Sequence, residues 1–562
     1  MRFATSAVIR CRRLRSAAIA IPTLAGICAL SFVSSALASG RQEAIFQEEP
    51  HLLTDPSGTL AQMRSLGVDR MRVILRWSSI APNAGSHRRP RGFDASDPAA
   101  YPARNWRPWD TVVKDAQSAG IKLDFDLAGG APLWATGPGA PRDKPHPNWD
   151  PSPREFGAFV HAVGTRYSGR YDPRTHSISP GNQDDLPAVS YWSIWNEPDY
   201  GPSLAPQGTG PHLSVENSPR LYRNLVDAGW GALQGTRHGH DTILIGELAP
   251  RGLSYWGIFS GMKPLVFLRA MYCVDHSYRK LRGPAAAARG CPSTAAGSAR
   301  FRSANPGLFQ ASGISDHPYM RWYPPNQEAQ PDPDYSTLGE LGGFERALDR
   351  LQRVYRSSRR LPIYDTEFGY ITSPPKHPTK RLPWASVTTA AYYLNWAEYI
   401  SWLDPRMSSF EQYLLYDPLP PLASNDYGGF ASGLLTDRGK PKPTYDAWRL
   451  PLYLPLTTAR RGARLEVWGC VRPAHFASTD PGGGPQSAQI QFQPRSRGAF
   501  QTVQTVAITS TYGYFDLRVK LPGSGTVRLS YTYPAKDPLL PAGSTIRSRD
   551  VRVRLTETAL GR

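Results

Sequence analysis

Glu197 and Glu367 are the residues of this chain best suited by type and position to do chemistry. Glu197 stands in YWSIWNEPDYG (191–201), where a strand-like run from Tyr191 to Trp195 stops abruptly at Asn196-Glu197-Pro198. Glu367 stands in LPIYDTEFGY (361–370), 170 positions further on and also at the end of an apolar run. Two carboxyl groups facing each other across a cleft can cleave a glycosidic bond. One must be protonated, to help the leaving oxygen depart; the other must be ionised, to attack or to activate water. Their surroundings must therefore hold their proton affinities apart. Trp195 and Pro198 give Glu197 an apolar setting that favours the neutral acid. Glu367 needs donors, for which the strand-end arginines Arg72 and Arg76 are both candidates.

Such a pair needs a scaffold that gathers strand ends. From about residue 44 to 452 short apolar runs alternate with longer helical patterns, which predicts repeated β-α units. The runs EAIFQEE, VDRMRVILRW, IKLDFDLAG, AVSYWSIWN, DTILIGELA, GISDHPY, LPIYDTEF and SSFEQYLLYD make eight strands. Helical patterns such as WDTVVKDAQSAG and GGFERALDRLQRVY separate many of them, and TYDAWRLPLYL closes the set. The predicted fold is α/β, a (β/α)₈ TIM barrel over 39–455, whose catalytic groups sit at the C-terminal ends of the strands. A long connection at about 250–311 falls on that face and reads as a cap over part of the cleft. After residue 460, alternating segments such as ARLEVWGCVRP and GTVRLSYTYP predict a C-terminal antiparallel β-sandwich over 460–562. It reads as a packing domain that braces the barrel, with carbohydrate binding as the alternative.

Residues 1–38 read as a signal peptide: five arginines, an apolar run and the small-x-small end Ala36-Leu37-Ala38. The reading is a secreted, extracellular protein with no stable membrane insertion after cleavage; an uncleaved N-terminal anchor is the alternative. Cys273, Cys291 and Cys470 remain, and an oxidising compartment favours pairing Cys273 with Cys291. Neither spacing suits zinc. The formal charge is +19, or +14 without the five arginines of the leader. No basic run is interleaved with aromatics, so a nucleic-acid partner is not expected.

Trp195-Asn196-Glu197-Pro198 resembles the Asn-Glu-Pro signature of glycoside hydrolase clan A, whose members are retaining glycosidases on a (β/α)₈ barrel. The resemblance implies that Glu197 is the acid/base and Glu367 the nucleophile, and that Asn196 holds the sugar 2-hydroxyl. His317-Pro318-Tyr319 is similar to the His-x-Tyr of family 5, which implies a Tyr319 hydroxyl on the nucleophile and a His317 that shapes the same subsite. Arg72 resembles the second-strand arginine that supports the nucleophile. The Trp-Asn-Glu-Pro stretch is similar to families 39 and 5 alike. Two positions depart from family 5: the third strand, DFDLAGGAPLWA, lacks a histidine, and the eighth offers Tyr413 and Tyr416 where a sugar-stacking Trp is expected.

Trp134, in a Gly-Pro-rich loop after the third strand, is a candidate to stack on a pyranose. Asp124 and Asp126 share a face of that strand, and Asp124 reads as structural. The expected activity is retaining hydrolysis of a β-linked poly- or oligosaccharide with no metal or organic cofactor. The rivals are a transglycosidase on the same scaffold and a non-catalytic carbohydrate-binding barrel.

Overall fold

Eight parallel strands close on themselves in the computed structural model, which describes residues 39–557 apart from 180, 254–257, 329, 420–428, 481–482, 496–497 and 535–542. The signal-peptide expectation for 1–38 lies outside the described residues. The strands are β1 Glu43–Gln47, β2 Arg70–Arg76, β3 Lys122–Ala128, β4 Tyr191–Ile194, β5 Thr242–Leu248, β6 Gly313–Asp316, β7 Ile363–Asp365 and β8 Met407–Tyr413. Each pairs in parallel with its sequence neighbour, and β1 closes the ring against β8 with Glu43 opposite Ser409 and Gln47 opposite Tyr413. This is the expected (β/α)₈ barrel.

The principal helices are α1 Pro56–Ser65, α2 Ala103–Ala119, α3 Pro153–Arg166, α4 Ser218–Gly235, α5 Pro264–Met271, α6 Gly283–Ala288, α7 Ala295–Ala304, α8 Pro306–Gln310, α9 Leu341–Val354, α10 Val387–Leu403, α11 Pro443–Arg449 and α12 Ala474–Thr479. The longer of them bury apolar faces against the barrel wall, as α9 does with Phe344, Leu348 and Leu351. The long connection after β5 is itself helical, carrying α5 to α8, and Cys273 is bonded to Cys291 within it. Arg223 of α4 clamps this excursion, donating to Met271 O at 3.0 Å and to Gly290 O at 2.8 Å.

Helix α11 takes only the first half of TYDAWRLPLYL; Pro451 ends it, and Leu452–Tyr453 become a short strand antiparallel to the first strand of the C-terminal region. That region holds β9 Arg464–Cys470, β10 Gln486–Pro494, β11 Gln501–Ile508, β12 Tyr514–Lys520, β13 Gly525–Thr532 and β14 Val551–Thr556. Two sheets share one core, in which Leu465 and Val467 meet Ile490, Phe492, Val527 and Leu529. One edge departs from the antiparallel expectation: Thr458–Arg460 pairs in parallel with β14. Barrel and sheets belong to one compact unit, Leu37–Arg562. Among the described residues, no helix is long and apolar enough to cross a membrane.

Candidate active site

The barrel brings Glu197 and Glu367 together from opposite strands. Glu197 follows the end of β4 by three residues and Glu367 follows the end of β7 by two. One carboxylate oxygen of each, with a ring nitrogen of His317, lie within 4.8 Å of one another. His317 itself follows directly on β6, and its backbone N–H is tied to Leu248 O at 3.0 Å.

Each glutamate has its own partners. Glu367 Oε1 accepts from Arg72 Nη1 at 2.8 Å and Oε2 from the Tyr319 hydroxyl at 3.1 Å. The residue after it is pinned by Phe368 N–H donating to Glu411 Oε2 at 2.8 Å. Glu197 Oε1 accepts from His317 Nδ1 at 3.1 Å, and the same nitrogen lies 3.5 Å from Glu367 Oε2. Arg72 is therefore the arginine on Glu367, whereas Arg76 is exposed at the rim of the cleft.

Arg72 also determines which way Asn196 faces. A guanidinium only donates, so the 2.7 Å contact from Arg72 Nη2 requires the amide oxygen of Asn196. That leaves the Asn196 NH₂ without a hydrogen bond among the described residues, in the wall of a cavity of about 200 Å³. The amide and the carboxylate of Asn-Glu-Pro thus sit side by side because one anchors on Arg72 and the other on His317.

Sequence reasoning passed over the residue that links these groups. Glu247, on β5, is fully buried, and its Oε2 accepts from Arg72 Nη2 at 2.7 Å, His317 Nε2 at 3.0 Å and Thr366 Oγ1 at 2.9 Å. Its carbonyl takes the Glu197 N–H at 2.9 Å. The available signal was a glutamate inside TILIGEL, a run that is otherwise apolar and must be buried on both faces. Gly246 before it has φ +119°, and a Cβ there would lie 2.5 Å from Ser315 O, so the close approach of β5 and β6 requires glycine. Trp195, Glu197 and Glu247 all hold left-handed backbone, with φ of 65°, 40° and 46°. Such conformations cost about 1–3 kcal/mol each and persist where the surrounding structure fixes them.

Charge follows from these contacts. Burial pushes Glu247 up, but the Arg72 charge and the hydrogen bonds and charge of His317 outweigh it and hold the carboxylate well below its ordinary range. His317 is driven down by burial and, more strongly, up by the surrounding carboxylates, the charge of Glu367 first. Burial raises Glu367 above the usual carboxylate value against the lowering charges of His317 and Arg72. Asp126, 2.9 Å from Arg72, is raised well above its ordinary value by burial. Asp124, hydrogen-bonded by Ser193, is pushed up to about 7 by burial and by the charge of Glu247.

The glutamates open into a cavity of about 490 Å³ whose walls include Tyr200, Tyr319, Tyr413 and Phe430. Tyr413 thus stands in the cavity wall at the end of β8, while Tyr416 packs on His51 at 4.3 Å instead. Trp134 does not join these residues. Its indole N–H binds Pro82 O at 3.0 Å, and its ring packs edge-on to Trp77 and Phe93, because the loop after β3 packs on the connection after β2, with Leu133 N–H on Ala84 O at 2.7 Å. Trp322 packs on Trp384.

No family model matches the chain, and no curated protein matches it in sequence. Similar solved structures include a family 39 glycoside hydrolase from the gut symbiont Bacteroides cellulosilyticus WH2, at 14% identity and TM-score 0.44, with 86% of this chain and 80% of that one covered. A family 39 enzyme from Xanthomonas axonopodis pv. citri aligns at 12% identity and TM-score 0.42, covering 86% of this chain and 94% of that one. An endo-β-1,4-mannanase from Thermotoga petrophila aligns at 12% identity and TM-score 0.38, covering 93% of this chain and all 100% of its own. The barrel itself stands on its own closed strand register.

Proposed function

We propose that the protein is a retaining glycoside hydrolase that cleaves β-linked poly- or oligosaccharides by double displacement. The observation that carries this reading is the approach of Glu197 and Glu367 to within 4.8 Å from the ends of β4 and β7. Inverting enzymes leave about 6.5–9.5 Å between their carboxyls for a water, whereas retaining pairs stand about 5–5.5 Å apart. In the first step Glu367, steadied by Arg72 and Tyr319, attacks the anomeric carbon while Glu197 gives its proton to the leaving oxygen. In the second, Glu197 takes a proton from the water that releases the sugar from Glu367. The free NH₂ of Asn196 is the donor offered to the neighbouring sugar hydroxyl. The resemblance of Asn196-Glu197-Pro198 and His317-Pro318-Tyr319 to the motifs of clan A supports the same roles. Export across a membrane belongs to the same reading, on the basic and apolar leader and the Cys273–Cys291 bond.

The test is incubation with a panel of activated 2-deoxy-2-fluoro-β-glycosides followed by peptide mass spectrometry. Label on the peptide carrying Glu367 is the expected result. Label on another carboxylate, or hydrolysis with no trapped intermediate and inverted product, would overturn the assignment. The aromatic wall of Tyr200, Tyr413 and Phe430 favours transglycosylation as a second reading, since such a surface binds a sugar acceptor in place of water. Products longer than the substrate early in the reaction would establish it.

A further inference from the structure

The cleft is positively charged on both sides of the catalytic pair. Arg321 lines the cavity of about 490 Å³ that contains Glu197 and Glu367. Arg76 lines the adjoining cavity, whose wall includes Asn196, Asn148 and Pro202. Those last two residues also border a third cavity of about 350 Å³, where Lys144 stands. Arg76, Arg321 and Lys144 are exposed, and among the described residues none makes an ion pair or a side-chain hydrogen bond. Arg251, in the same wall as Arg321, is by contrast committed to Glu328 and to Tyr319 O. Among the described residues the catalytic glutamates are the only acids lining the first cavity, the second has none, and Asp143 in the third is bound to His146 at 2.8 Å.

Two features make this more than a basic surface. Arg321 holds left-handed backbone, φ 59°, four residues beyond His317 and within the wall of the site, a conformation that a bulky residue keeps only where its surroundings impose it. Arg76 is equally fixed in place: its Cα, Cβ and Cγ fill the space beside Gly129, where an added Cβ would meet them at 2.7–2.9 Å, so the stem is held at the cavity wall while the head is open. A neutral glycan offers hydroxyls, which the cavity can meet with Tyr200, Tyr319 and Asn196, and it gives no reason to keep unneutralised guanidinium groups there. A guanidinium presents two parallel N–H groups matched to a carboxylate, and a cleft lined by one sign of charge draws an anionic polymer in.

We propose that the cleft takes a glycan whose sugars carry carboxylate groups, and that Arg321 and Arg76 bind those carboxylates on the sugars flanking the scissile bond. This rests on the glycosidase reading of Glu197 and Glu367 and adds its substrate class. Sulfate esters present related anionic chemistry, which the comparison with cellulose sulfate separates from carboxylates.

Binding and cleavage are measured separately. The Glu197→Gln/Glu367→Gln protein is tested for retention by hyaluronan and mannuronate-rich alginate, by the same polymers after chemical reduction of their carboxyls, and by cellulose sulfate. Expected is retention about tenfold stronger on the acidic polymers than on their reduced forms, a ratio that falls toward one when Arg321→Ala and Arg76→Ala are added. Arg321→Lys keeps the charge without the fork and should recover part of the ratio. Arg353→Ala removes the same charge from the C-terminal end of α9, on the opposite face of the barrel, and should leave the ratio as it was. Equal or stronger binding of the reduced polymers, stronger binding of cellulose sulfate, a loss with Arg353→Ala equal to that with Arg321→Ala, or no retention of either acidic polymer would overturn the proposal. Cleavage is read on the unmutated protein: release of reducing ends from neutral but not acidic polymers would overturn the carboxylate reading and leave the glycosidase reading intact. Acid-selective retention without any cleavage would do the reverse.

Discussion

At the scale of single residues the site depends on one carboxylate that never meets solvent. Glu247 Oε2 holds Arg72, His317 and Thr366 at once, so it orients the groups that orient both glutamates. Glu247→Gln keeps the shape but removes the charge against which Arg72 and His317 are held. The expected result is a fall in kcat of about 10²-fold with a smaller change in KM, the loss typical of misplacing reacting groups by about 1 Å. The pH profile carries a second, independent sign. Burial raises Glu367, and the nearby Glu247 charge is among the further causes, so removing that charge lowers the value. A nucleophile must be ionised, so activity fails as pH falls through the Glu367 value. The acid limb of kcat/KM in Glu247→Gln should therefore move to lower pH. A limb that stays put while kcat falls would leave Glu247 a packing residue only. This is also the part of the site least visible in sequence. Glu197, Asn196, His317 and Tyr319 announce themselves as short motifs at strand ends. Glu247 is a single glutamate in an apolar strand, and its partners come from β2, from just beyond β6 and from just beyond β7. Trp134 errs in the opposite direction: a Trp in a Gly-Pro-rich loop suggests a stacking platform, but its N–H is taken up by Pro82 and its ring packs on Trp77 and Phe93.

At the scale of elements, legibility followed burial. The eight barrel strands are covered on both faces and carry apolar stretches that mark them, though their bounds shift at both ends: AVSYWSIWN supplies only Tyr191–Ile194 and LPIYDTEF only Ile363–Asp365. Helices α6 and α7, in a segment rich in Ala and Arg, bury little beyond Ala286, Ser298 and Phe301 and have no apolar stripe to read. Only the length of that connection and its two cysteines suggested order. The bond between Cys273 and Cys291 spans 18 positions and closes the loop that α6 occupies. In the chain-entropy picture such a loop contributes about 3 kcal/mol. Replacing both cysteines by serine should lower stability to urea by about that amount. Hydrogen exchange should quicken over 264–311 while β1 to β8 stay protected. Uniform loss of protection across the barrel would show that the excursion is part of the barrel core rather than a cap laid on it.

At the scale of the molecule, the C-terminal sheets are bound to the barrel by a buried polar joint. Arg472, just beyond β9, pairs with Glu398 of α10 at 2.7 Å and donates from Nε to Trp448 O at 2.7 Å, with its guanidinium 3.8 Å from the centre of the Trp448 ring. Tyr514 of β12 donates to Glu398 at 2.9 Å and accepts from Gln42, just ahead of β1, at 3.0 Å. Gly67, with φ +68°, lies so close that a Cβ would stand 2.3 Å from the Arg472 backbone, so the approach leaves no room for a side chain. Both charges are almost wholly buried, and breaking such a pair from one side costs about 3–5 kcal/mol. Arg472→Met should therefore destabilise the whole molecule by about that much in urea unfolding, although Arg472 has no contact with the catalytic cleft. The loss has a pH signature. Burial already raises Glu398 above its ordinary value, and removing the lowering charge of Arg472 raises it further. A carboxyl raised in the folded state is comfortable when protonated, so the deficit should be small in acid and grow as pH rises through the raised value. Adding Glu398→Leu should restore most of the stability, because a well-packed apolar pair commonly replaces a buried ion pair without loss. One cooperative transition in the wild type, shifted as a unit in Arg472→Met, is the expected behaviour of a single unit. A separate early transition of the sheets, with the barrel unaffected, would show that the joint fastens an independent domain instead of completing the barrel wall.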